Sequence, residues 1–206
     1  MSRVGIMGGT FDPVHYGHLY AAEQAREECD LGTVYFVPCN LPPHKDGAGL
    51  TAAEHRSTMV QLAAASNPSF AASRMEIERG GLSYTIHTVT EFRELLGVGT
   101  EIHFITGADA IGEIMTWRDN EALASLCRFV AVTRPGYEVG SLRERLSPAL
   151  RASLEVVEVK GLDISSTDIR RRVGEGRSIR YLTPPEVELY IANTGLYVNR
   201  DEKQGS

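Results

Sequence analysis

Residues 3–28 hold the feature that most limits what this chain can fold into. Arg3-Val4-Gly5-Ile6-Met7 is a short apolar run that suits a buried strand. Gly8 and Gly9 follow it, and residues 19–28 form a helix-favouring stretch. Two adjacent glycines let the backbone turn sharply and let a phosphate approach with no Cβ in the way. A helix beginning there presents unpaired N–H groups and the positive end of its dipole to the same point. His15 and His18 are three residues apart and share a face of the first turn. Two imidazoles aimed at a phosphate donate hydrogen bonds to oxygens where charge builds up. Other readings stay open on these residues alone. Glycine pairs between strand and helix are common, and the stretch is neither GxxxxGK[ST] nor GxGxxG. The histidines also fit two surface residues, and no third ligand lies at a spacing that suggests a metal.

The rest of the chain alternates strand-like and helix-like segments, which predicts an α/β fold with a doubly wound parallel sheet. Thr33-Val34-Tyr35-Phe36-Val37, Met75-Glu76-Ile77-Glu78, Glu101-Ile102-His103-Phe104-Ile105-Thr106, residues 127–133 and residues 154–159 read as further strands. Thr51-Ala52-Ala53-Glu54 has capping-box spacing and opens a helix through about residue 66, where His55 and Arg56 read as solvated. Residues 141–150 read as one amphipathic helix, and Pro184-Pro185-Glu186 opens a last helix stopped by Gly195. The 206 residues suffice for one domain over 1–206, with a small helical portion at about 164–200. In such sheets ligands sit beyond the carboxyl ends of the strands.

Charge and cysteine usage narrow the partners. A net charge of −6 argues against nonspecific nucleic-acid binding, so local basic residues must hold any anionic substrate. No apolar run approaches the ~18 residues of a membrane span, and the N-terminus enters a strand without a secretion signal. Three scattered cysteines fit reduced thiols in a cytoplasmic protein, and a homo-oligomer stays open.

Gly9-Thr10-Phe11-Asp12-Pro13 followed by His15-Tyr16-Gly17-His18 resembles the [HT]-x-G-H motif of the nucleotidyltransferase superfamily, which includes class I aminoacyl-tRNA synthetases. The later motifs resemble bacterial nicotinate-nucleotide adenylyltransferases nearly end to end. The resemblance implies a Rossmann-like fold and AMP transfer from ATP to nicotinate mononucleotide. Mg2+ is expected to bridge phosphate oxygens, mostly hydrated, with no metal held by a dedicated protein cage. It places Gly8, Gly9, Thr10 and Phe11 against ATP, with His15, His18 and Arg170 as catalytic groups.

Several segments read differently with and without that resemblance. Lys45, in Pro42-Pro43-His44-Lys45, is a solvated lysine on spacing alone and a phosphate contact by resemblance. Ser83 or Thr85 reads as a cap of the following helix. By resemblance, the amides around Tyr84 and Thr85 grip the nicotinate carboxylate. The family has Asp where this chain has His87, which reads as structural. In Gly107-Ala108-Asp109, Asp109 either caps a helix or holds a ribose or cation, and the resemblance favours nucleotide contact. Trp117 reads as core on its own and as a stacking partner for the pyridine ring by resemblance. Arg134, in Arg134-Pro135-Gly136, moves likewise from exposed turn to substrate contact.

The second half of the predicted site is Ile164-Ser165-Ser166-Thr167-Asp168-Ile169-Arg170. Ser165 or Ser166 caps a helix whose free N–H groups suit an anion. The matching family segment binds the ATP triphosphate. Arg171 and Arg172 read as solvated. Competing readings are another adenylyl- or cytidylyltransferase, or a non-catalytic dinucleotide sensor on the same fold. The absence of Lys-Met-Ser-Lys-Ser argues against a tRNA synthetase fragment.

Overall fold

A computed structural model describes residues 2–43, 49–133, 139–161 and 163–198. Lys45 and Arg134 therefore lie outside the described residues. Six strands form one parallel sheet in the order β3-β2-β1-β4-β5-β6: β1 Ser2–Gly9, β2 Thr33–Pro38, β3 Phe70–Ala72, β4 Thr100–Gly107, β5 Arg128–Thr133 and β6 Leu154–Glu158. The β1 register is fixed on both sides, Met7 opposite Phe36 and Ile105, Gly8 opposite Val37. The strand order reverses between β1 and β4, and a crevice opens at the carboxyl ends of strands at such a point.

The helices are α1 Tyr16–Glu28, α2 Ala53–Ala64, α3 Met75–Arg79, α4 Thr85–Leu96, α5 Ala108–Gly112, α6 Asn120–Leu126, α7 Val139–Arg145, α8 Pro148–Ser153, α9 Ser166–Gly174 and α10 Pro185–Thr194. They cover both faces. Ala22, Ala25, Met59, Ala63, Ile169, Val187 and Ile191 of α1, α2, α9 and α10 pack with Met7, Ile105 and Val130 on one face. Ile86, Val89, Phe92, Leu123 and Leu150 of α4, α6 and α8 pack with Ile6, Phe104 and Phe129 on the other. Strand residues alternate between these cores, as a pleated strand buried on both faces requires.

Four expectations change. The strand expected at Met75-Glu76-Ile77-Glu78 is the short helix α3, and the sheet edge is Phe70–Ala72 instead. An alternating run this short does not fix its period, and Met, Glu and Arg favour helix. What α3 buries is Glu76, whose carboxylate accepts from the Thr88 hydroxyl at 2.5 Å. The Thr51 capping box does not form. Ala52 is the N-cap of α2, Thr51 N–H donates to Asp12 Oδ2 and Thr51 C=O accepts from Arg56. The helix expected over 141–150 is two helices, because Pro148 cannot continue α7 and instead opens α8 under a Ser147 cap. Arg56 is not solvated but 1% exposed, and the His55 ring pairs with the Tyr190 hydroxyl at 2.8 Å.

Candidate active site

The β1 turn is shaped by close packing. A Cβ on Gly8 would lie 3.0 Å from the Phe104 ring, and one on Gly9 would lie 3.0 Å from the Phe11 ring. Phe11 itself sits at φ +50, a left-handed conformation uncommon for an aromatic residue, next to a cis Asp12–Pro13 bond. After this turn His15 caps the start of α1, and its ring stacks on that of His18 with centroids 3.7 Å apart. His18 Nδ1 accepts from the backbone N–H of His15 at 3.3 Å. A neutral His18 therefore carries its proton on Nε2. The α1 amides are less free than the glycine-turn reading expects, since Tyr16 N–H donates to Leu182 C=O at 3.0 Å.

Two cavities meet at this turn. The first, about 360 Å³, is lined by Gly8, Gly9, Phe11, His15, Gly17 and His18 with Thr106, Gly107, Thr133 and Ile164. The second, about 290 Å³, is lined by Gly8, Gly9, Thr10, Tyr84, Thr85, Trp117, Glu76 and Arg118 among others. They share Gly8, Gly9 and Thr106. The predicted residues thus sort themselves. The histidines, Phe11, Gly107 and Ile164 belong to one chamber, and Thr10, Tyr84, Thr85 and Trp117 belong to the other. Asp109 is exposed in the first turn of α5 and lines neither cavity.

In the second cavity Tyr84, not Ser83 or Thr85, is the N-cap of α4, and no side chain caps that end. Ser83 Oγ is taken by Asn40 N–H at 2.9 Å. The helix N-terminus therefore opens on the cavity without a side-chain cap, an arrangement suited to a carboxylate. Trp117 stands edge-on to Phe104 and Phe129, with one side in the core and one on the cavity. The Arg118 guanidinium lies 5.0 Å over the Tyr84 ring. His87 meets Tyr84 edge-on at 5.7 Å and does not line the cavity. Arg118 and Glu76 were not singled out by sequence. Arg118, beside Trp117, carries a local signal, whereas Glu76 was hidden in a run read as strand.

The C-terminal portion closes on the turn. Ser165 caps α9 by accepting from Asp168 N–H at 3.1 Å. Ser166 Oγ donates to Pro13 C=O at 2.8 Å and Arg170 Nη1 to Asp12 C=O at 2.6 Å. Thr183 Oγ1 donates to Val14 C=O at 2.8 Å, and Tyr197 OH to Asp12 Oδ1 at 2.7 Å. Arg170 Nη2 also reaches Thr167 Oγ1 at 3.3 Å. Ser165, Ser166, Thr167 and Arg170 lie outside the cavity lining and follow directly on Ile164, which is part of it. Arg171 and Arg172 pair with Asp168 on the exposed side of α9.

Burial lowers the His15 pKa to about 4, and it holds His18 well below its ordinary value, with the neighbouring His15 adding to the effect. Both rings are neutral at pH 7. The unfolded chain binds a proton at His15 as pH falls through about 6.5, and the folded chain does not until about 4. His15 thus contributes stability that is complete above that window and is lost as pH falls across it. At about 1.4 kcal/mol per unit, the loss by pH 5 is about 2 kcal/mol. The expected result is a fall in urea midpoint from pH 7 to pH 5 that is smaller in His15→Gln.

Comparison with known proteins identifies the family. A family model described as cytidylyltransferase-like matches residues 6–172. A Moorella thermoacetica protein is 53% identical over 95% of this chain and 91% of its own length. A Thermoanaerobacter protein is 49% identical over 98% of this chain and 97% of its own length. Each is named a probable nicotinate-nucleotide adenylyltransferase. Plasmodium falciparum nicotinic acid mononucleotide adenylyltransferase, solved in complexes with APC and with NaAD, superposes with a TM-score of 0.76 at 20% identity, covering 96% of this chain and 98% of its own, and so shares the fold. With relatives this similar along almost its whole length, the chain belongs to the nicotinate-nucleotide adenylyltransferase family.

Proposed function

We infer that the protein transfers the adenylyl group of ATP to nicotinate mononucleotide, giving nicotinate adenine dinucleotide and pyrophosphate. The observation that carries this is the pair of cavities sharing Gly8, Gly9 and Thr106, one lined by His15 and His18, the other by the α4 N-terminus and Trp117. Two nucleotide halves held in adjoining chambers meet at that shared wall, where their phosphates would join.

The reaction is a direct in-line displacement. An oxygen of the mononucleotide 5′-phosphate attacks the α-phosphorus, the bond to the bridging oxygen breaks, and pyrophosphate leaves with that electron pair. The nucleophile is already anionic, so the chain's task is positioning and charge stabilisation. His18 Nε2–H and the His15 ring donate to phosphate oxygens as negative charge shifts. Gly8, Gly9, Thr10 and Phe11 form the floor under the phosphates. Gly107, in the histidine chamber, and Asp109, just beyond it, are assigned to ATP by resemblance. Ser165, Ser166, Thr167 and Arg170 hold the leaving pyrophosphate, with Ser166 and Arg170 anchored on the Pro13 and Asp12 carbonyls. Tyr84 and Thr85 present amides to the nicotinate carboxylate, and Trp117 offers its ring to the pyridine. Lys45 and Arg134 are assigned to the mononucleotide by resemblance.

Magnesium enters with ATP as part of the substrate. Asp12, the buried carboxylate of the turn, has both oxygens engaged, by Tyr197 and by Thr51 N–H. Its donors suit a hydrated ion carried by the triphosphate better than an ion held by the protein. No helix among the described residues is long and apolar enough to cross a membrane. All three cysteines are free and buried, which supports the cytoplasmic reading.

The test is pyrophosphate release with ATP and magnesium, with nicotinate mononucleotide compared with its amide. A helix N-terminus favours a charged acceptor group, so release with the acid should exceed release with the amide by at least about tenfold. Equal release would keep the transfer and overturn the carboxylate assignment at α4. No release with either acceptor would overturn the reaction.

A further inference from the structure

At the end of the sheet opposite the Gly8-Gly9 turn, a second cluster of chemistry-bearing side chains is assembled. On the α1 face of the sheet, Arg3 of β1, Glu101 and His103 of β4, Arg128 of β5 and Glu155 of β6 share the strand side of Met7, Ile105, Val130 and Val157. The C-cap of α1, Cys29, comes down over them. The Cys29 thiol sulfur, a His103 ring nitrogen and a Glu155 carboxylate oxygen all lie within 4.8 Å of one another, and this is the one such group among the described residues.

We propose that Cys29, His103 and Glu155 form a binding site for a single zinc-class divalent ion, separate from the catalytic cavities. Sulfur, imidazole and carboxylate together are the donor set that such ions prefer, with a water as fourth ligand. Ligand atoms around a tetrahedral zinc are about 3.3–3.8 Å apart, as bond lengths of ~2.0–2.3 Å require. His103 Nδ1 already stands 3.8 Å from Glu155 Oε2, so modest side-chain rotation closes the set.

The independent observation is His103 itself. It is 2% exposed, and neither ring nitrogen has a hydrogen-bond partner among the described residues. A buried polar group left unpaired destabilises the fold, and an ion on Nδ1 relieves that ring nitrogen. Its Nε2 then faces Glu101 Oε2, 3.9 Å away, the position of a carboxylate that orients a ligand histidine. Burial keeps the imidazole below its ordinary pKa, in the neutral form that binds metal. Arg128 pairs with Glu101 and Glu155 and competes for the latter, so the ion must displace one weak contact of 3.5 Å. Cys29 ligates as the thiolate, so binding releases a proton. The ion would tie the carboxyl end of α1, whose amino end carries the histidines, to β4 and β6.

The full chain, stripped with a chelator and dialysed, is titrated with Co2+ and then with Zn2+. The expected result is one Co2+ per chain with a thiolate-to-metal charge-transfer band, displaced by Zn2+, and a rise in Tm on adding Zn2+. Cys29→Ser should abolish the band, and Glu155→Gln should weaken binding at least about tenfold. Wild-type protein without the band, or Cys29→Ser that keeps it through Cys39 or Cys127, overturns the proposal. Should Cys29→Ser fail to fold, Glu155→Gln decides, since its side chain is 36% exposed: undiminished affinity overturns the site. Turnover of Glu155→Gln stays at the wild-type level, because the site holds no substrate.

Discussion

Replacing His18 with Ala should lower turnover by at least about a hundredfold, the scale of one lost transition-state donor, with a much smaller change in the KM for ATP. His15 N–H occupies His18 Nδ1, so the remaining proton sits on Nε2. Burial and the stacked His15 ring keep His18 uncharged, so it acts as a neutral donor to an anionic oxygen. That bond is charge-assisted from the acceptor side and strengthens as charge moves during displacement. An interaction that is stronger in the transition state than in the ground state appears in kcat rather than in KM. His18→Ala removes the ring's stack on His15, its edge-on contact with Phe11 and the 3.3 Å bond, and leaves the backbone of α1 in place. Circular dichroism should therefore match wild type. A His18→Ala enzyme with near-normal kcat would refute the donor role and leave positioning alone to explain catalysis.

The parts of this fold that were legible in the sequence are those whose cause is local. The apolar run at 3–7, the paired glycines and the helix after them follow from neighbouring residues, and so do a serine cap at 165 or 166, which is Ser165, and Gly195 as a stop. The parallel, doubly wound character of the sheet also followed, because strands alternating with helices leave few other arrangements. What was not legible depends on distant partners. Met75-Glu76-Ile77-Glu78 reads as a strand until the Thr88 hydroxyl that donates to the buried Glu76 is known. Thr51 looks like a cap until Asp12 and Arg56 claim its backbone. The site divides in the same way. The His pair, the Ser83-Tyr84-Thr85 segment and Trp117 were visible as motifs, yet their sorting into two chambers with a common wall appears only when β1 and β4 lie side by side. The anchoring of Arg170 on the Asp12 carbonyl spans 158 residues of chain and leaves no trace in spacing.

Arg56 gives the second large effect, and in sequence it looks like an ordinary exposed arginine near a helix start. Folded, it is 1% exposed, and its hydrogen bonds go to carbonyls rather than to carboxylates. Nε donates to Thr51 C=O at 2.8 Å, Nη1 to Thr10 C=O at 2.8 Å and Nη2 to Asn40 C=O at 2.9 Å, with Cys39 Sγ 3.7 Å from Nη1. One planar group thus joins the turn after β1, the loop after β2 and the start of α2. Thr10 and Cys39 line the second cavity, so the guanidinium sets the shape of the proposed mononucleotide chamber without touching it. Arg56→Met keeps the stem and removes the donors, leaving three carbonyls unpaired in the interior. Charged hydrogen bonds are worth about 1.5–3 kcal/mol each, and relaxation recovers part of that, so a loss of about 3–4 kcal/mol is expected. Urea unfolding should show this as a lower midpoint at an unchanged slope. Arg56→Lys separates charge from geometry. An ammonium cannot span three carbonyls set around a fork, so it should recover less than half of the loss. In the lysine variant the KM for nicotinate mononucleotide should rise at least about fivefold while that for ATP stays near wild type, because only the second chamber loses its wall. Equal rises in both KM values, or a lysine variant as stable as wild type, would show that the site needs the charge and not the three-way tie.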